Sequence, residues 1–510
     1  MKMNSEEAVI LKTKQEYQEE RAKANSDSTF ELGTINGISI STEDIYKFYE
    51  FDERELGRGH FGVVYRAVLK NQREKEYAVK SIKKSKLKGD ISGLRNELSM
   101  LRNLDHPNII QFYEIYQDPE RYYFVLELCS GGDVSSRLMK EKAGFSEAKT
   151  REIMFQALLA INYLHGCGVI HRDIKPDNFL FHDTSPDSTI KLTDFGISRK
   201  VVGREQLSSS VGTPYYVAPE VLSKVGYSFK VDLWAAGVMM YFLLTKIQPF
   251  QGIGTGDTYE KILRGVYSMT HDSLLRLSAE GADLLVKLME KDPRKRLTAG
   301  QALMHAWFAP LYLRLEKEGK QMVNVDLLNS MRAFSTHSKL VKEMVRLLVM
   351  IHDDSREVRE LVKAFLYIDV LGVGTIQASE LVKAFTEVGE SLDHKEASRL
   401  IEEIGFRTYR GLNYLEFVAA SVDEGFYLKE QYLEEAFRRF DVNGDGFINS
   451  KDMKLTFGRF GMEITQKEIM EMINEMDENS DQKVSFDEFV RMMKGETKSN
   501  ALSLKQSTIG

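Results

Sequence analysis

The sequence is poor in proline and cysteine, and both scarcities exclude something. Only 9 of the 510 residues are proline and 2 are cysteine. All the prolines fall between Pro107 and Pro310, so residues 311–510 contain none. Proline punctuates loops and breaks helix interiors, so this stretch predicts helices joined by glycine and polar turns. Cys129 and Cys167 cannot build a disulfide framework, which points to a reducing compartment. No run approaches the roughly 18 apolar residues of a membrane span. The opening MKMNSEEAVILKTKQEYQEER lacks the apolar core of a secretory signal and has Lys2 where myristoylation needs glycine. The expected location is cytoplasmic, with nuclear or peripheral-membrane pools left open, and the expected state is a monomer. Charge of neither sign dominates: 69 Lys+Arg stand against 76 Asp+Glu, a net −7 that argues against nucleic acid as a partner. At roughly 150 residues per domain, the length suggests about three domains.

The first chemical pattern is Gly57-Arg58-Gly59-His60-Phe61-Gly62-Val63-Val64, set between stretches that alternate like strands. Alone, it also reads as an ordinary glycine-rich hairpin. A dinucleotide-binding fingerprint would open a helix. Here Val63, Val64 and Tyr65 continue as strand, giving a hairpin whose amides can cover phosphates. Tyr77-Ala78-Val79-Lys80 follows as a short strand ending in lysine. His171-Arg172-Asp173-Ile174-Lys175-Pro176-Asp177-Asn178 comes after the apolar helical pattern of 151–165. Asp194-Phe195-Gly196 lies 21 residues beyond Asp173, and Ala218-Pro219-Glu220, Asp232 and Arg296 complete the series. The whole set, in this order and spacing, resembles the eukaryotic protein kinase family over residues 48–309.

That resemblance implies roles. Lys80 would hold the α- and β-phosphates of ATP and pair with Glu97, in the helical stretch 94–101. Asp194 and Asn178 would give magnesium the hard oxygen ligands it prefers. Asp173 would orient the substrate hydroxyl and accept its proton. Lys175 resembles the phosphate-contacting lysine of Ser/Thr rather than tyrosine kinases. Phosphoryl transfer asks mainly for such positioning and charge compensation. Gly57, Gly59 and Gly62 belong to the phosphate-covering hairpin. Leu56, Val64, Ala78 and Leu180 would form the adenine slot, with Glu127 and Cys129 at the hinge behind Leu126. An inactive relative usually lacks a lysine or aspartate of this set, and none is missing. Glu220 and Arg296 are expected to form a structural ion pair, and Trp234 and Trp307 to be core. Arg172 needs an anionic partner when the activation segment is ordered. A phosphate on Ser209, between Ser208 and Ser210, would supply it by charge-assisted hydrogen bonds; a polar loop with incidental serines is the alternative.

Beyond the body the sequence repeats. Asp441-Val442-Asn443-Gly444-Asp445-Gly446-Phe447-Ile448-Asn449-Ser450-Lys451-Asp452 places oxygen-bearing residues at loop positions 1, 3, 5, 9 and 12, with glycine at 6. This matches a calcium-binding EF-hand, in which Phe447 contributes its backbone carbonyl. A second loop begins 36 residues later with Asp477, Asn479, Asp481, Lys483 (by its carbonyl) and Glu488. Stepping back by the same period reaches Gly405 and then Asp369, each opening a degenerate unit. Leu371 and Val373 put hydrocarbon where calcium needs oxygen, and Gly405, Arg407 and Tyr409 do likewise. These two units are expected to hold no calcium and to survive as structural partners. Asp452 replaces the usual glutamate, which should weaken calcium or favour magnesium. Gln482 stands where glycine eases a turn of positive φ, at a cost of ~1 kcal/mol. Two working sites follow. Met470, Met472, Met476, Met492 and Met493 read equally as the lining of a target groove or as core.

Between body and repeats, Leu340, Met344, Leu347 and Leu348 share one helical face, with Lys339, Lys342 and Arg346 on the other. Such a basic amphipathic helix suits a membrane surface or a calmodulin-like groove, and a groove in the same chain favours the second. Kinase, junction and four EF-hands in this order resemble the calcium-dependent protein kinase family over residues 48–497. The implied fold is an α+β bilobal protein kinase followed by an all-α calmodulin-like domain of four EF-hands. Its expected divisions are an unassigned extension 1–47, the catalytic domain 48–309, and an autoinhibitory junction 310–355. EF-hand pairs would follow at 356–425 and 426–497, then a polar tail 498–510. The implied activity is transfer of the ATP γ-phosphate to protein Ser/Thr, with Mg2+ and Ca2+ as cofactors and the junction released when calcium binds. Control by activation-loop phosphorylation, with a structural or magnesium-filled tail, is the alternative. Family members usually carry an acidic residue where Ser209 stands. Residues 1–45 match no readable pattern; charged helix and disorder are both open.

Overall fold

A computed structural model describes residues 34–35, 38–58, 62–70, 72–87, 98, 100–101, 104–196, 198–200, 214–224, 226, 228–353, 355–405, 411–459 and 464–495. The chain divides into two compact units. The smaller comprises residues up to Ile91, Phe112–Glu127 and Met453–Gln466; the larger holds the remainder.

The smaller unit is built on five antiparallel strands: β1 Tyr49–Arg58, β2 Gly62–Leu69, β3 Gln72–Lys83, β4 Phe112–Gln117 and β5 Arg121–Glu127. Their order is β1-β2-β3-β5-β4. Tyr77, Val79 and Ile82 of β3 are fully buried, as expected of β-branched and aromatic residues in a central strand. Strand β4 ends the sheet, yet every residue in it is buried. Ser41 covers its edge: Ser41 N donates to the Ile115 carbonyl at 3.1 Å, and Gln117 N donates back to Ser41 at 2.8 Å. An unpaired edge would invite other strands, and this bridge removes the invitation.

The larger unit is mainly helical. Helix α1 (Glu147–Gly166), capped by Ser146, packs on α2 (Lys230–Thr245), against which α3 (Ala279–Leu288) also lies. Apolar residues surround α2 on all sides, so it is a core helix rather than a surface one. Trp234 and Trp307 are core, as expected. Glu220 and Arg296 form a buried bidentate pair at 2.7 and 3.1 Å, with the guanidinium over the Trp234 ring. Removing one partner of such a pair costs about 3–5 kcal/mol, because the other is left charged and buried. Two short antiparallel pairs, β6 (Val169–Ile170) with β9 (Arg199–Lys200) and β7 (Phe179–Phe181) with β8 (Ile190–Leu192), flank the segment that carries the site.

The proline-free stretch is helical, as its composition predicts. After α4 (Ala299–Leu303) come α5 (Ala309–Met322), α6 (Val325–Thr336) and α7 (Lys339–Ile351). Four helix–loop–helix units follow: α8 (Arg356–Ile368) and α9 (Ala378–Glu387); α10 (His394–Ile404) and α11 (Tyr414–Ser421); α12 (Glu430–Phe440) and α13 (Ser450–Arg459); α14 (Gln466–Met476) and α15 (Phe486–Met493). Two-residue strands couple the loops in pairs, Ile376 opposite Leu412 and Ile448 opposite Val484. The degenerate units therefore do pair structurally.

Candidate functional site

In the smaller unit, β3 carries Lys80 opposite Val64 on β2 and Phe124 on β5. Ala78 is opposite Leu126, and Tyr77 opposite Glu127. Lys80, Ala78 and Leu126 are buried, whereas Leu56 is exposed. Gly57 and Gly62 lie on β1 and β2, and a Cβ at Gly62 would overlap the Ser81 carbonyl. Gly59 and Glu97 lie outside the described residues, as do Ser208, Ser209 and Ser210.

In the larger unit, residues 171–178 form a hydrogen-bonded knot. Lys175 Nζ donates to Asp173 Oδ2 at 2.7 Å. Asn178 Nδ2 donates to the same oxygen at 2.9 Å and to the Asp173 carbonyl at 2.7 Å. Asn178 O in turn accepts from Thr193 N, tying the knot to the residue before Asp194. Asp194 and Arg172 are held at φ +64° and +69°, which side chains other than glycine rarely adopt. Strain of this kind persists only where surrounding contacts impose it. Phe195 supplies one such contact, buried and edge-on to His171 at 5.1 Å. Leu180, two residues past Asn178, is half-buried on β7 beside a bridge to Asp133. Cys129 is half-buried too.

Beneath the knot, Asp232 Oδ1 accepts from Arg172 N at 2.9 Å, and Oδ2 from His171 N at 3.0 Å. His165 Nε2 meets Oδ2 at 2.9 Å. Burial pushes the Asp232 carboxyl up, but hydrogen bonds and charge from His165 and His171 outweigh it and leave it below the usual range. Burial pushes His171 down. Sequence reasoning noted Asp232 but missed His165. Its signal was position: His165 ends the apolar helix six residues before His171.

The third and fourth loops share one internal geometry. Asp441 Oδ1 and Oδ2 accept from Asp445 N (3.0 Å) and Gly446 N (2.8 Å), and Asp445 Oδ1 from Phe447 N (3.0 Å). Asp477 Oδ2 accepts from Gln482 N, and Asp481 Oδ1 from Lys483 N, both at 2.8 Å. Asn443 and Asn479 likewise accept from Asp445 N and Asp481 N at 2.8 Å. These side chains are thus folded into their own loops. Their carboxylate, amide and carbonyl oxygens are the hard donors calcium takes. Gln482 adopts φ +63°, the strained conformation expected for it. Glu488 spans its loop, accepting from Glu478 N at 3.0 Å and Ser485 N at 2.8 Å. Asp452 accepts from Asn449 N at 3.1 Å and from the backbone of Val442 across the loop, and burial pushes its carboxyl up. In the first loop, Asp369 accepts from Val373 N and Gly374 N in the same way, and burial pushes it up to about 7. Arg407 and Tyr409 of the second loop lie outside the described residues.

Helix α7 packs on α11 and α12, and α6 on α10 and α11. Leu340, Met344, Leu347 and Leu348 are buried, as the periodicity predicts. The opposite face departs from expectation. Lys342 is buried, its ammonium donating to the carbonyls of Ser335 (2.7 Å) and Glu403 (2.8 Å). Glu403 is near the C-terminus of α10, where unpaired carbonyls attract a cation. Lys339 reaches Glu468 at 2.6 Å. Met472, Met476, Met492 and Met493 are buried, with Met470 half-buried.

Comparison with known proteins matches residues 50–308 to the protein kinase domain and residues 430–494 to the EF-hand domain pair. Over 486 residues the chain is 35% identical to calcium-dependent protein kinase 3 of Plasmodium berghei (strain Anka), covering 92% of this chain and 85% of that protein. It is 35% identical over 461 residues to calcium-dependent protein kinase 29 of Arabidopsis thaliana, covering 90% and 84%. Calcium-dependent protein kinase 5 of Plasmodium falciparum (isolate 3D7) is 31% identical over 463 residues, covering 90% and 80%.

Proposed function

Because the chain belongs to the calcium-dependent protein kinases, a family of calcium-regulated Ser/Thr kinases, we propose how its own residues divide that work. Asp173 is the group that orients the acceptor hydroxyl and takes its proton. The observation that carries this is the pair of cationic and amide donors, Lys175 and Asn178, meeting on one Asp173 oxygen. Two donors on one oxygen fix the orientation of the carboxylate, as a base in transfer requires. Lys175 neutralises charge on the phosphoryl group in transfer. Asn178 and Asp194 hold magnesium, and Lys80 holds the α- and β-phosphates of ATP; the metal offsets charge on the transferring group. In the smaller unit, Leu56, Val64, Ala78 and Leu126 contact adenine, with the backbone of Glu127 along its edge.

Calcium enters at Asp441, Asn443, Asp445, Phe447 and Asp452, and at Asp477, Asn479, Asp481, Lys483 and Glu488. Occupation of these loops keeps α7 within the EF-hand helices, away from its inhibitory position. The seating of Leu340, Met344, Leu347 and Leu348 there supports this reading. Peptide phosphorylation, with calcium and with chelator, tests it. Activity should rise severalfold with calcium and vanish in Asp173→Ala under both conditions. Equal activity with and without calcium would remove the switch, and a Asp173→Ala variant that still turns over would remove the base. Aspartate at position 452, one methylene shorter than glutamate, favours one variation, in which magnesium fills the third loop at rest.

A further inference from the structure

The first EF-hand loop lacks calcium chemistry, yet two of its glycines are enclosed. Gly372 and Gly374 stand at loop positions 4 and 6, at φ +59° and +76°, and both are buried. A Cβ at Gly372 would lie 2.9 Å from Leu159 Cδ2 and 3.1 Å from Leu303 Cδ1, and one at Gly374 would overlap the Tyr163 ring. The equivalent glycines of the third loop, Gly444 and Gly446, face open space. What covers the first loop is the kinase body: Leu159 and Tyr163 belong to α1, Leu303 to α4.

The contact is polar as well as close. Asn162, between Leu159 and Tyr163 on the same helix face, donates its amide to the carbonyls of Leu371 (3.2 Å) and Gly372 (2.8 Å). Loop carbonyls that would otherwise meet water are thereby satisfied by a kinase side chain. Leu371, the residue that replaces a calcium ligand, points into solvent. A second point of attachment comes from the other degenerate unit, where Leu415 N donates to Asp105 Oδ2 at 3.1 Å. Helices α10 and α11 of this same pair seat α6 and α7.

We propose that loop 369–374 is a calcium-independent latch whose ligand is helix α1. It fixes the first EF-hand pair to the large lobe while that pair grips the junction. Loss of calcium ligands at Leu371 and Val373 is then a change of ligand rather than decay. The inference rests on the calcium-regulated reading above. Two variants of the full chain test it from opposite sides: Asn162→Asp sets a carboxylate against two carbonyls, and Gly374→Val intrudes on Tyr163. Hydrogen exchange of residues 369–376, measured with calcium, should accelerate at least tenfold in both. The calcium-stimulated rate should fall severalfold, with the rate in chelator unchanged. Asn162→Asp lies outside the EF-hands, so it decides the matter even where Gly374→Val unfolds its own loop. Wild-type exchange in Asn162→Asp would overturn the dock, and faster exchange with undiminished stimulation would overturn the latch. A wild-type chain indifferent to calcium would sink the regulated reading instead, and exchange alone would then judge the dock.

Discussion

Asp232 accepts the backbone N–H of Arg172 from below, fixing the His171–Arg172 peptide one residue before Asp173. Arg172 holds φ +69° there, so the aspartate imposes a conformation the chain would otherwise leave. His165 and the His171 amide complete the carboxylate's contacts and keep it ionised despite burial. Asp232 is a positioning residue.

Asp232→Asn should therefore lower kcat about 100-fold, the scale of a misplacement of about 1 Å at the reacting group. KM for ATP should change little, because Lys80 is untouched. Steady-state kinetics beside a thermal melt separate this from unfolding. A kcat near wild type would show that the loop holds its shape without the anchor.

The calcium loops should respond to repair. Gln482→Gly removes a side chain from a φ of +63°, a relief of ~1 kcal/mol, or about fivefold tighter calcium at the fourth loop. Asp452→Glu adds the missing methylene, and should raise the preference of the third loop for calcium over magnesium. Calorimetry with each ion reads both effects. Unchanged affinities would mean that loop geometry, not these side chains, limits binding.

His106 predicts how stability varies with pH. Burial, with a smaller contribution from Lys191, pushes it down to about 3; its ring stacks on Tyr163 and accepts from Asn108 N. A histidine depressed in the folded state is protonated first in the unfolded chain. Its stabilising effect is intact above about pH 6.5 and is lost as pH falls toward 3. Between pH 7 and pH 5 the loss is about 2 kcal/mol. His106→Asn should be less stable at pH 7 but decline less over that interval, by this amount, in denaturant titrations. Parallel declines would place the acid sensitivity elsewhere.

Local chemistry was legible in the sequence, and distant chemistry was not. Asp173, Lys175 and Asn178 lie within six residues, so the knot they form is encoded in their spacing. Asp441 and Asp477 bond amides four or five residues ahead, so their loops could be read from oxygen positions alone. Lys342 reads only as part of the basic face of α7, because nothing nearby marks the Glu403 carbonyl, 61 residues on, as its partner. Asn162 and Gly372 are 210 residues apart, and neither shows a motif. The degenerate loops were read as spent calcium sites because side-chain chemistry is visible in a sequence while the surface a backbone carbonyl faces is not.

The burial of Lys342 also makes the junction chemically addressable. Its ammonium is held by two main-chain carbonyls and little exposed while α7 is seated, so an acylating reagent in water reaches the amine slowly. Once α7 leaves, that nitrogen becomes one more surface amine. The extent of labelling at this single position, read by mass, is thus a running record of how long each molecule has spent with its junction out.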